Sequence, residues 1–264
     1  MEGIFVPMKK LLFCIIALSV LGEISLAAWN KREHAAIAII AENHLSPKAK
    51  RIVYEISGGH LAAEASYLDE HRKSMMPLQH LMRVDDKFRG ELVPIVDSKG
   101  QKNALAHIQD CMDELKRYKE LDDSTRKVDL FCIVHLIGDI HCPGHVIYSD
   151  GRSSVQWVKI NYNGKMVKFH GIWDGPVTEH IAGGPLDLAY ICDVASDKEI
   201  SKMQEGSLLD WAQDIAVRCQ DVNINIEPGQ TIDKNYLLQN WPLAQQELML
   251  AGYRLAKVLN DIFR

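Results

Sequence analysis

Basic excess, closely paired cysteines and a second long apolar run are all missing from this chain of 264 residues. Lysine and arginine number 30 against 35 aspartates and glutamates, a formal charge of −5. Such a chain has no overall field to draw in nucleic acid or an anionic membrane, so any phosphate recognition has to be local. The six cysteines lack the dense, even spacing of a disulfide scaffold. Beyond the first 28 residues, no stretch approaches the roughly 20 apolar residues of a membrane-spanning helix. The fold must therefore be held by an apolar core, by metals, or by both.

What is present begins with an export signal. Met8-Lys9-Lys10 leads into an apolar run from Leu11 to Leu21, then into small residues ending at Ala28. Met1 to Pro7 reads as an upstream extension, and Cys14 lacks the context of a lipid anchor. We expect residues 1–28 to be removed and residues 29–264 to form one domain, soluble and periplasmic or extracellular. Ser25-x-Ala27 favours cleavage after Ala27, whereas cleavage after Ala28 has Leu26 three positions back. Only the second bond leaves Trp29 at the amino terminus. Five cysteines then remain (Cys111, Cys132, Cys142, Cys192 and Cys219), so at least one thiol stays unpaired.

Helical patterning dominates. Ala35 to His44 is an Ala/Ile-rich amphipathic run, and Ser46-Pro47 supplies a cap with proline at the first helical position. Asn103 to Tyr118, Leu208 to Cys219 and Pro242 to Phe263 carry apolar residues at helical spacing. Val128 to Ile140 is apolar nearly all round, as suits the centre of a bundle. Strand alternation is confined to "SVQWVKINYNGKMVKFH", where Asn163-Gly164 marks a tight hairpin turn. Residues 88–102 read as loop. The expected fold is mainly α, a single-domain helical bundle with a small β-hairpin.

"HLIGDIHCPGH", residues 135–145, crowds three histidines and an aspartate around a helix end. His135 and Asp139 are one turn apart on one helix face. Gly138 permits close approach of another group, and Pro143-Gly144 turns the chain so that His145 can point back. A lone histidine on an apolar helix is ordinarily a hydrogen-bonded core residue. The aspartate one turn away weakens that explanation, because burying an unpaired carboxylate costs several kcal/mol. "FHGIWDG" repeats the spacing in His170 and Asp174, "SYLDEHR" adds Asp69, and "PLQHL" adds His80. Imidazole and carboxylate without paired cysteines suit a hydrolytic zinc site better than a structural one. "AAWNKREH" sets Trp29 and His34 at the processing site.

These motifs resemble the trinuclear-zinc S1/P1 nuclease family, secreted single-strand nucleases and 3′-nucleotidases whose fold is related to zinc phospholipase C. The similarity runs from "WNKREHAAIAIIAENHLSPKAK" through "HLIGDIHCPGHV" and "FHGIWD" to "LAGYRLAKVLNDIF". It implies three Zn²⁺ ions. Asp69, His80, His135 and Asp139 would hold one; the Trp29 amine and carbonyl, His34 and the shared Asp139 a second; and His145, His170 and Asp174 the third. Two zincs bridged by Asp139 would lie roughly 3.5 Å apart and activate a shared water. Asp69 would orient it, and Arg72 would stabilise charge on the phosphate. His141 falls outside the pattern and is read as structural, while His44, His60, His71, His107 and His180 are read as surface or core residues. The implied partner is single-stranded nucleic acid or a nucleotide; no membrane is involved after processing, and the protein would be a monomer. Three divalent ions would offset the charge of −5, so phosphate would be recruited by metal with a shallow salt dependence.

The likeness weakens at the base pocket. Relatives follow the second ligand histidine with an aromatic residue and, two positions on, Asn or Asp. Here His80 is followed by Leu81, Met82 and Arg83, and "DGRSS" replaces the usual Gly-Gly-Asn. Two rivals remain. A zinc phospholipase C would have a longer Trp-to-His gap and Glu in place of Asp174. A non-catalytic zinc-binding protein would have no need of Arg72. A pocket altered in this way should read phosphate and sugar more than base. We therefore expect similar hydrolysis rates on single-stranded homopolymers of each base and on the corresponding 3′-nucleotides; a strong preference for one base would contradict this.

Overall fold

The computed structural model describes residues 29–71, 80–84, 103–148, 157–224 and 226–264. In chain order the described elements are α1 (Lys31–Asn43), α2 (Pro47–Ser57), α3 (Leu61–Glu64), α4 (Tyr67–Glu70), β1 (Met82–Val84), α5 (Ala104–Leu115) and α6 (Asp123–Ile140). Then come β2 (Val146–Tyr148), β3 (Lys159–Tyr162), β4 (Lys165–Lys168), α7 (His170–Trp173), α8 (Pro185–Cys192), α9 (Asp197–Met203), α10 (Leu208–Arg218), α11 (Gln220–Ile224), β5 (Thr231–Ile232) and α12 (Lys234–Ile262). The leader, Arg72, residues 88–102 and the "DGRSS" stretch lie outside the described residues.

Short polar side chains set the helix starts by accepting otherwise unpaired backbone N–H groups. Asn30 caps α1, taking the Arg32 N–H at 2.8 Å. Ser46 caps α2 with Pro47 at its first position, and Gly58 ends that helix in a left-handed conformation (φ 77°). Asp122 caps α6 through the Thr125 N–H. Every residue of α6 from Asp129 to Ile140 is buried, as the all-round apolar pattern predicts. α1 lies against α12 through small residues. A Cβ on Gly252 would come within 2.5 Å of Ile40 Cγ2, so only glycine permits this approach. Ile37 and Ile40 are fully buried at that contact, each worth roughly 1.5–3 kcal/mol.

The hairpin forms where expected. β3 and β4 pair antiparallel from Lys159↔Lys168 to Tyr162↔Lys165, and Asn163 and Gly164 both take positive φ (50° and 75°). Two strand features depart from the sequence reading. β1 pairs parallel with β2, and β5 joins β3 in parallel. These strands are two or three residues long, too short for alternation to show. Helix starts also differ. α12 begins at Lys234, well before the expected Pro242, because Asp233 caps it through the Tyr236 N–H. Pro242 then lies inside the helix, and the backbone bond it removes falls on the carbonyl of Leu238, whose side chain is exposed. All five cysteines from Cys111 onward are buried and unbridged. No helix among the described residues is long and apolar enough to cross a membrane.

The α5–α6 contact contains one ionisable misfit. Asp129 is buried, and burial first, then the charge of Glu114, raises its carboxyl to about 7 from an ordinary 3.8. Between those values the folded chain keeps a proton that the unfolded chain has lost, so this group erodes stability as pH rises from 3.8 to about 7. Asp129→Asn is expected to raise stability by roughly 1–2 kcal/mol at pH 8. The gain should shrink toward pH 4 when thermal unfolding is followed across that range.

Candidate metal centre

The centre is built on the last turns of α6. His135 and Asp139 are fully buried, with His135 Nε2 3.3 Å from Asp139 Oδ2. His135 is oriented from behind, its Nδ1–H donating to the Ala65 carbonyl at 2.9 Å. Across from α6, α1 delivers His34, whose Nε2 lies 3.3 Å from Asp139 Oδ1. The His34 and His135 rings stack with centroids 4.0 Å apart. Gly138 makes that possible, since a Cβ there would sit 2.8 Å from His34 Nδ1.

The parallel β1–β2 pair does the long-range work. Met82 pairs with Val146, so His80 and His145 emerge side by side just ahead of the two strands. The His145 Nδ1–H donates to the His80 carbonyl at 3.0 Å. His80 Nδ1 lies 2.7 Å from Asp139 Oδ2, 3.2 Å from His135 Nε2 and 4.0 Å from Asp69 Oδ1. Asp69 Oδ2, on α4, is 3.8 Å from His135 Nε2. On the other side His145 Nδ1 approaches Asp139 Oδ1 at 3.9 Å, and the His145 ring stacks on His170 at 4.7 Å. His170 Nδ1 is 3.2 Å from Asp174 Oδ2, one turn on through α7.

Among the described residues three groups therefore have ligand atoms within 4.8 Å of one another: His34, His135 and Asp139; Asp69, His80 and His135; and His145, His170 and Asp174. Together they contain eight of the nine residues expected to ligate metal. The ninth, Trp29, would bind through its backbone. It is fully buried, and its backbone lies against the Cys142 thiol, three residues after Asp139. Arg72 lies outside the described residues.

Electrostatics fit a set of cations. His34 is held down to about 4, by burial first and then by His135. Burial also works against charge on His135, but the Asp139 carboxylate outweighs it and raises the ring to about 9. Burial opposes charge on Asp139 as well, yet His135, His80 and His145 keep its carboxyl well below the ordinary range. Several imidazoles compete for one carboxylate, and they cannot all be protonated in a dry interior. Among the described residues neither ring nitrogen of buried His34 makes a well-aligned hydrogen bond, although Nε2 lies 3.3 Å from Asp139 Oδ1. A metal ion would take the lone pair of the unprotonated ring nitrogen directly, and the oxygen–imidazole donor set suits zinc.

The remaining histidines behave as expected. Buried His141 donates from Nδ1 to the Ile137 carbonyl at 2.7 Å and accepts from Arg254 Nη1 at 3.1 Å, which ties α6 to α12. His44 meets Asp193 at 2.8 Å, His60 meets Glu42 at 3.2 Å, and His71 stacks on Tyr67. Of the altered base-pocket positions, Met82 is fully buried in β1, while Leu81 and Arg83 are half-buried. The sequence reading missed Glu33. Its buried carboxylate accepts the Thr178 hydroxyl hydrogen and clamps the first turn of α1 to the 3₁₀ turn after Asp174. A charged residue directly before His34 in a segment otherwise destined for the core was the available signal.

Gly138 lies in the last turn of α6, where alanine should favour the helix itself by up to about 1 kcal/mol. The same Cβ would push against His34. Gly138→Ala is therefore expected to fold yet bind less metal per chain than wild type, as measured by elemental analysis after dialysis.

The sequence matches the S1/P1 Nuclease family over residues 29–264, a span containing every candidate ligand. Among curated proteins, Endonuclease 2 of Arabidopsis thaliana is 22% identical over 271 residues, covering 89% of this chain and 90% of the relative. Endonuclease 4 of the same plant is 23% identical over 273 residues, covering 89% of each. Endonuclease 1 is 21% identical over 299 residues, covering 100% of this chain and 96% of the relative. With a match of that extent over a helical domain carrying three His/Asp clusters, the chain belongs to the S1/P1 nuclease family, whose members hydrolyse phosphoester bonds of nucleic acid.

Proposed function

We propose that the protein is an exported, zinc-dependent phosphodiesterase that cleaves single-stranded DNA and RNA internally and removes phosphate from 3′-nucleotides. The observation that carries this reading is the placement of Asp139. One of its carboxylate oxygens faces His80 and His135, while the other faces His34 and His145. A carboxylate shared in this way is what a site with two adjacent metals requires. Asp69, His80, His135 and Asp139 are assigned one Zn²⁺, Trp29, His34 and Asp139 a second, and His145, His170 and Asp174 the third. Bound zinc supplies Lewis-acid polarisation of phosphate oxygens and acidifies water near neutral pH.

The chain's own groups do the rest. Asp69 is at the edge of the cluster, its side chain 14% exposed, where a carboxylate can hold a water for attack on phosphorus. Arg72, three residues further along the sequence, is assigned to the non-bridging phosphate oxygens. The bond from water oxygen to phosphorus forms and the bond from phosphorus to the 3′-oxygen breaks. The products are a 5′-phosphate and a 3′-hydroxyl. Asp174 closes the last His-x3-Asp pair where a phospholipase C would have glutamate, which favours the nuclease.

Export through residues 1–28 is part of the reading, because the second zinc needs a free amine on Trp29. The family match opening at Trp29 supports this. Protein whose amino terminus is Trp29 should cleave single-stranded DNA with kcat/KM at least about 100-fold higher than protein retaining Ala28. Turning the Trp29 amine into an amide removes one ligand and the chelate it makes with the Trp29 carbonyl, which sets that magnitude. Equal activity of the two forms, or products ending in 3′-phosphate, would contradict the assignment.

A further inference from the structure

Outside the metal clusters, the β3–β4 hairpin carries an arrangement that folding alone does not explain. Lys159 and Lys168 are directly opposite in the antiparallel register, where like charges destabilise a strand pair. Among the described residues neither lysine has an ion-pair partner. Lys168 Nζ is instead 4.8 Å over the ring of Trp157. Trp157 remains 49% exposed although indoles are ordinarily well buried, and its ring centroid lies 6.2 Å from that of His170. Next to it is a cleft of about 290 Å³, walled by Lys159, Tyr162, Met166, Lys168, Gly171 and Ile172. Gly171 and Ile172 in that lining belong to the α7 turn that joins His170 to Asp174.

We infer that Trp157, Lys159 and Lys168 form a platform for the single-stranded polymer beside the His145–His170–Asp174 cluster. A base stacks on the open part of the Trp157 ring, and the two lysines take the flanking phosphates. The inference rests on the nuclease reading and extends it to residues that ligate nothing. An exposed indole beside paired cations is how sequence-tolerant single-strand sites are made, since every base presents a π face. The cleft is open and smaller than most closed ligand pockets, which suits a strand passing through rather than a captured nucleotide. Tyr162 donates to Glu179 at 3.0 Å on the cleft's other edge, so an acidic group bounds the track there. A platform indifferent to base identity also agrees with the loss of the aromatic and Asn/Asp positions after His80.

The test compares zinc-loaded wild-type protein with Trp157→Ala, Trp157→Phe, Lys159→Ala and Lys168→Ala. Each is assayed on a 20-mer of deoxythymidylate and on thymidine 3′-phosphate. The ratio of kcat/KM for polymer over mononucleotide is expected to fall about tenfold in Trp157→Ala and to recover largely in Trp157→Phe. Each lysine variant should flatten the dependence of log KM on log salt for the 20-mer by about 0.7. Lys48→Ala, exposed on α2, serves as the remote control and should leave both readouts unchanged. If wild type cleaves both substrates while ratio and slope stay at wild-type values in all four variants, the platform is wrong and the nuclease reading stands. If zinc-loaded wild type cleaves neither substrate, both fall together.

Discussion

A single carboxylate organises this protein. Asp139 is fully buried on a helix with no exposed residue in its last three turns, and an unpaired charge there would cost several kcal/mol. Its two oxygens are met by His34 from α1, His135 from its own helix, and His80 and His145 from the segments entering β1 and β2. Each of those elements has to arrive at one point in space. Much of the packing serves that end: Gly138 admits His34, the parallel β1–β2 pair aligns His80 with His145, and the Ala65 carbonyl turns the His135 ring.

Such a centre strains the fold that holds it. Four imidazoles surround one carboxylate in an interior where charge is poorly screened, and burial first, then neighbouring imidazoles, hold His34 and His145 below their ordinary range. Packing outside the site compensates. The α1–α12 contact through Gly252 and Ile40, the Glu33–Thr178 clamp and the His141–Arg254 link fix the helices on either side of the ligands. Metal-bound protein should then be considerably more stable than metal-free protein, because ligands that oppose one another without an ion cooperate around one.

Much of this was legible in the sequence because the signals are local. A His-x3-Asp spacing on a helix puts both side chains on one face, Asn163-Gly164 accepts the positive φ angles of a hairpin turn, and Ser46-Pro47 starts a helix. What escaped the reading depends on partners far along the chain. Three-residue strands such as β1 and β2 carry no alternation to detect, although their pairing brings together two histidines 65 residues apart. The α12 start was misplaced because a proline inside a helix is tolerated only where solvent can reach the carbonyl it leaves unpaired. Leu238 shows that condition only once the fold is known. The platform on the hairpin likewise emerges from register, since Lys159 and Lys168 are nine positions apart in sequence and face one another in space.

The proposed three-zinc centre requires Asp139 to serve two ions at once. Native mass spectrometry of processed protein, wild type beside Asp139→Asn, counts bound zinc per chain directly. Three ions in the wild type and a single ion, retained by His145, His170 and Asp174, in the variant is the predicted result. An Asp139→Asn protein that still carries three zincs, or a wild type that never exceeds one, would contradict it.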